Sequence, residues 1–179
     1  MRRLLRWVGL GLAALIVASA APALGQSATA AGTVAVYFSP EDRPGAAVVQ
    51  AFASARHEIL AVIYEFTEAQ IANALVAASR RHVDVWMVMD ESASRDRGSQ
   101  SYRLAQILGT RARLRAGVDG ASGIVHDKFA VVGGTRVLTR SFNWTYSAED
   151  RNWENLVIIE SPPLAQAYAR EFRHIWDAP

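Results

Sequence analysis

Two mostly apolar runs, ILAVIYEF at 59–66 and VDVWMVM at 83–89, flank a stretch of helical period at 68–81. Strands that lack polar alternation are buried on both faces, and two of them joined by a helix make a right-handed parallel crossover. A strand at 33–38 and an Ala/Val-rich helix at 44–57 precede this unit, so the order strand, helix, strand, helix, strand predicts a largely parallel sheet covered by helices. Thr67, with Gln70 three residues on, reads as a capping box opening the helix at 68–81. Residues 91–100 are polar, include Gly98 and predict an exposed loop before a short helix at 101–108.

The second half changes character. KFAVV at 128–132 and TRVLT at 135–139 are joined by Gly133-Gly134, a two-residue hairpin signal that needs positive φ. The hairpin makes the sheet mixed. NLVIIE at 155–160 predicts another buried strand. Ser161-Pro162 opens a final amphipathic helix carrying Leu164, Tyr168, Phe172, Ile175 and Trp176. The expected class is α/β, a mixed, largely parallel sheet flanked by helices, with no internal repeat.

Composition narrows the setting. Hydrophobic residues make up 51% of the chain and charged residues 20%, outside the range of disordered chains. Arg2, Arg3 and Arg6 precede an apolar run from Trp7 to about Ala21 and a small-residue stretch ending Ala23-Leu24-Gly25. This is the pattern of a cleaved secretory signal over 1–25, and the run is short of the about 20 residues that span a bilayer. The expected organisation is a signal at 1–25, a linker at 26–32 and one domain at 33–179. The mature chain would be periplasmic or secreted, with no stable membrane anchor.

Cleavage removes three arginines and no acid, so the formal charge falls from +2 to −1. A mature chain of that charge must hold an anionic substrate by local charge, not by its overall field. The absence of cysteine excludes thiolate nucleophiles, thiolate zinc sites and disulfides.

His126 and Lys128 stand two apart at the start of a strand-like segment, so alternation aims both toward one side. An imidazole nucleophile beside a fixed cation suits a phosphoester. The chain has 19 Lys and Arg together, and Lys128 is its single lysine. A lone ammonium among arginines points to a site needing a compact, rotatable point charge.

Ser141 and Asn143 repeat the two-residue spacing after the partner strand. They are candidate donors to phosphate oxygens or ordinary turn residues at a strand end. Glu154, before the strand LVIIE, is a candidate to fix a histidine tautomer or a solvated strand start. His57, His82 and His174 have no ligand spacing, and neither a metal nor another cofactor is expected. Trp144 and Trp153 flank the candidate site as core or as a stacking surface.

The run HDKFAVVGGTRVLTRSFNWT, 126–145, resembles the HxKxxxxD and GSxN signature of the phospholipase D superfamily, with His126, Lys128, Ser141, Asn143 and Glu154 in matching order. VAVYFSPE, ALVAASRRHVDVWMVMDE and ENLVII extend the likeness to the small single-motif bacterial endonuclease branch. The resemblance implies the α-β-α sandwich of that family and a metal-independent phosphodiesterase acting through a phosphohistidine, with nucleic acid or phospholipid as substrate. Its chemistry needs a second acid, and one motif per chain then implies a homodimer with a shared site. Two positions depart from the signature. Gly133 stands where the motif has Asp, about 16 Å of strand from Lys128. Arg140 stands where it has Gly and either narrows the pocket or adds a phosphate ligand. A degenerate, phosphate-binding protein is the competing class.

Overall fold

A computed structural model of the chain describes residues 32–118 and 123–178. The expected signal at 1–25 and the expected linker up to residue 31 lie outside the described residues. In chain order the elements are β1 (Val34–Ser39), α1 (Pro44–Ser54), β2 (Glu58–Ile63), α2 (Ala69–Arg80), β3 (Asp84–Asp90), α3 (Ser101–Leu108), β4 (Ala112–Arg115), β5 (Phe129–Val132), β6 (Arg136–Arg140), α4 (Tyr146–Asp150), β7 (Glu154–Glu160) and α5 (Pro162–Asp177).

The strands form one sheet in the order β1-β7-β6-β5-β2-β3-β4. β2 lies in the interior of the sheet, where Ile59, Ala61, Val62 and Ile63 are fully buried. It pairs parallel with β3 and antiparallel with β5, so the sheet changes direction at β2. The mixed sheet flanked by helices is as expected, but its balance is not. Parallel pairing is confined to β2, β3 and β4, and the four other pairings are antiparallel. β1, expected within a largely parallel sheet, instead pairs antiparallel with β7 at the far edge, Val36 facing Val157. The β5–β6 hairpin and β7 occupy the places between it and β2.

Each face of the sheet has its own cover. On one side α1 and α2 build a core around Phe52, Phe66, Leu75 and Trp144, all at most 1% exposed. On the other, α5 lays Ala165 and Phe172 against Leu60, Val62 and Val137. Its outer turn stacks Phe172 on Trp176 and sets Trp176 edge-on to Trp86 at 5.2 Å. Ser161 caps α5 by accepting from Leu164 N, and Pro162 takes the first turn, where no N–H is needed.

Local departures from the sequence reading have tertiary causes. α1 stops at Ser54, before His57, because Arg81 Nη2 donates to its terminal carbonyls at Phe52 (3.1 Å) and Ala53 (3.2 Å). The cap of α2 is Glu68, which accepts from Gln70 N, and not Thr67. Thr67 N and Glu68 N both donate to Trp144 O at 2.8 Å, which holds Thr67 outside the helix. The hairpin turn has three residues, since Val132 faces Arg136, and both Gly133 (φ 61°) and Gly134 (φ 70°) adopt the left-handed conformation. β4, with its alternating arginines, and α4, capped by Thr145, were not anticipated. Among the described residues no helix is long and apolar enough to cross a membrane.

Candidate active site

Because β2 and β3 run parallel while β5 and β7 run against them, the carboxyl ends of β2, β3 and β6 meet the amino ends of β5 and β7 at one edge of the molecule. Open sheets bind ligands where strand direction switches, outside the carboxyl ends. The approach of the chain to β5 is pinned there. Asp90, fully buried at the end of β3, accepts from Val125 N (2.8 Å) through one oxygen and from Ala93 N (2.9 Å) and Ser92 Oγ (2.5 Å) through the other. A residue beyond Val125 comes His126.

The imidazole of His126 is exposed, with its ring 5.0 Å from that of Tyr64. Lys128 is 8% exposed; its Nζ donates to His126 O at 2.6 Å and lies 5.3 Å from the Tyr64 ring. Tyr64 is therefore the floor on which both side chains rest. Burial is the main cause that lowers the Lys128 pKa from 10.5, with the Arg140 charge second, and Asp127, Glu65 and Glu154 oppose them. Burial and the charges of Glu65, Asp90 and Asp96 raise the Tyr64 pKa, so the phenol stays neutral.

Ser141 and Asn143 leave the end of β6 on the same side. Asn143 is anchored to Glu65: its Oδ1 accepts from Glu65 N and its Nδ2 donates to Glu65 Oε2, each at 3.4 Å. Ser141 Oγ donates its proton to Glu154 Oε2 at 2.6 Å and accepts from Asn155 N at 3.2 Å. Its hydroxyl proton is thus already committed, so the expected donation to a phosphate requires that bond to open. Glu154 also accepts from Asn152 Nδ2 at 3.2 Å. Within the chain its carboxylate meets Ser141 and Asn152, where the sequence suggested a histidine.

A cavity of about 370 Å³ is lined by His126, Asp127, Lys128, Arg140, Ser141 and Asn143, with Phe129, Thr139 and Tyr168 closing its side. It offers an exposed imidazole, the ammonium of a buried lysine and an amide donor around a space fit for a phosphoryl group. Gly133 lies at the other end of β5, its N–H bonded to Glu58 O, so the departure there is remote from the cavity. Arg140 lies inside it. A wider groove of about 960 Å³ borders His126 and runs along α5, lined among others by Ile124, Arg170, Arg173, His174 and Ile175.

Sequence reasoning passed over Tyr64, Glu65 and Asp90. The available signal was position: each is among the first polar residues after a buried parallel strand. Of the two tryptophans, Trp144 is core, fully buried between Phe52 and Phe66, while Trp153 is 85% exposed and is not core. His57 and His82 are far from the cavity residues in the fold; His174 is not, since it lines the groove that His126 borders. Among the described residues no three His, Asp or Glu side chains converge as a metal-ligand set.

Comparison with known proteins agrees with this layout. The family described as cardiolipin synthase, PLD-like domain, matches residues 48–176. A phospholipase D of Rickettsia prowazekii is 32% identical over 139 residues, 78% of this chain and 65% of the relative, so the chain spans just under two thirds of that relative's length. A mitochondrial cardiolipin hydrolase of Xenopus laevis is 36% identical over 64% of this chain and 52% of its own. The crystal structure of Nuc, a phospholipase D family member from Salmonella typhimurium, superimposes with a TM-score of 0.73 at 34% identity, covering 82% of this chain and 95% of that one. NucT from Helicobacter pylori shares the fold, with a TM-score of 0.75 at 21% identity. With the family pattern matched over most of its length and the HxK and SxN residues gathered on one cavity, the chain belongs to the phospholipase D superfamily.

Proposed function

We propose that this chain is an exported, metal-independent phosphodiesterase that cleaves nucleic acid through a phosphohistidine on His126. The observation that carries the reading is the convergence of His126, Lys128 and Asn143 on one cavity. A ring nitrogen of His126 attacks the phosphorus, and the bond to the leaving oxygen breaks as an acid protonates it. Water then attacks the phosphohistidine, giving up a proton to the same group, and the phosphomonoester leaves with His126 restored. Lys128 and Asn143 offset charge on the non-bridging oxygens.

The acid is the His126 of a second copy, brought to the same phosphate by a two-fold axis. His174, along the groove, is the in-chain competitor. The arginines of that groove, Arg170 and Arg173, suit the phosphates of a nucleic acid strand. Ile124 and Ile175 in the same groove favour the second reading, a phospholipid with its acyl chain laid there.

The test is turnover of bis-p-nitrophenyl phosphate in EDTA by the mature protein. Wild type is expected to turn over and His126→Ala to lose at least about a thousandfold while keeping its fold. Phosphate binding without turnover would instead identify a degenerate binder. Rates on DNA, RNA and phospholipid measured side by side decide the substrate class.

A further inference from the structure

The register of the hairpin sets Phe129 opposite Thr139, which makes Lys128 and Arg140 the next facing residues. Like charges directly opposite on one face repel. Arg140 is as a whole half-buried, yet all three of its guanidinium nitrogens are covered and none has a hydrogen-bond partner among the described residues. The group lies over the Trp144 ring, 4.4 Å from its centroid. Of the carboxylates near this end of the sheet, Glu65 is engaged with Asn143 and Glu154 with Ser141 and Asn152, while Asp127 acts on Lys128; none of the three is an ion-pair or hydrogen-bond partner of the Arg140 guanidinium among the described residues.

A buried cation without an acceptor is strongly unfavourable, and beside a second cation more so. An anion would supply both the acceptor and the opposing charge, and the cavity that Arg140 lines together with Lys128 and His126 is where one can enter. Two adjacent cations attract a dianion more strongly than a monoanion, and a planar fork beside a point charge accommodates several oxygens of one tetrahedral group.

We propose that Arg140 and Lys128 together form a two-cation subsite for a tetrahedral dianion, inorganic phosphate or a terminal phosphomonoester, which this chain holds in preference to a monoanionic diester. The proposal rests on the reading of this cavity as a phosphate site but not on turnover.

Equilibrium binding to the mature chain at pH 8 tests it, with inorganic phosphate as the dianion and dimethyl phosphate as the monoanion. Wild type is expected to bind phosphate at least about tenfold more tightly than dimethyl phosphate. Arg140→Met, which keeps an apolar stem over Trp144, should bind the two alike, and Arg140→Lys should keep most of the preference. Thermal unfolding without phosphate should find Arg140→Met at least as stable as wild type; if it does not fold, Arg140→Gln gives the same readout. A wild type without preference, or a neutral variant that retains it, overturns the proposal. Arg140-dependent phosphate binding with no diester turnover sinks the enzymatic reading alone, and turnover with Arg140-independent phosphate binding sinks this one alone.

Discussion

In the proposed site Lys128 meets two opposed demands, since the burial that would strengthen its field on a phosphate also weakens its hold on the proton. Its folded pKa lies below 10.5, so the ammonium is lost at lower pH than in an ordinary lysine. Activity that needs the cation should therefore show an alkaline limb beginning below that value. Removing the second cause of the shift, in Arg140→Met, should move the limb to higher pH, as a pH profile of kcat/KM would reveal. An unmoved limb would mean that another group sets it. Lys128→Arg should lose about a hundredfold or more in kcat, because a planar guanidinium cannot place a single compact charge against Tyr64 and His126 O. Wild-type rates in that variant would remove Lys128 from the chemistry. Arg140 itself is a cation at neutral pH even with burial lowering its pKa to about 9.

At the level of elements the two faces of the sheet are unequally protected. α1 and α2 share one face, whereas the other depends on α5, whose Phe172 is 3% exposed and touches both sheet and Trp176. Phe172→Ala should cost about 3–5 kcal/mol of stability, read from chemical denaturation at constant m. A cost below about 1 kcal/mol would show that α5 is not what closes that face. Tyr168, one turn before Phe172, joins α5 to the site: its hydroxyl donates to Thr139 Oγ1 at 3.2 Å and its ring lies edge-on to Phe129. Loss of packing in α5 is therefore expected to lower activity as well as stability.

For the whole molecule the proposed reaction raises a question of number, since in it one His126 per chain must meet a second proton donor. Mixing wild type with an excess of His126→Ala, under conditions where subunits exchange, should drain activity in proportion to the heterodimer formed. Full activity of a monomer, established by light scattering at assay concentration, would end the shared-site reading and bring His174 forward. The export reading has a test of its own: intact mass of the secreted protein is expected to place its first residue at or near Gln26, and a secreted chain that still begins at Met1 would contradict it.

Much of this site was legible because its geometry is local. His126 and Lys128 are two residues apart, Ser141 and Asn143 are two apart, and the glycine turn between them returns the chain to the same end, so the spacing pointed to one side although all four lie just outside β5 and β6. The apolar runs of β2 and β3 likewise announced burial on both faces without reference to any neighbour. What the sequence could not determine was partnership. β1 pairs with β7, more than a hundred residues away, because the hairpin and β7 fill the sheet beside β2, and no local pattern encodes which edge a strand joins. Tyr64, Glu65 and Asp90 entered the site for the same reason, carried there by the ends of strands whose order only the packed sheet sets. Arg140 shows the division most sharply: its position in the motif could be read from the chain, but that its charge is buried, faces Lys128 and lacks an acceptor among the described residues was decided by the register of two strands and the wall of Trp144.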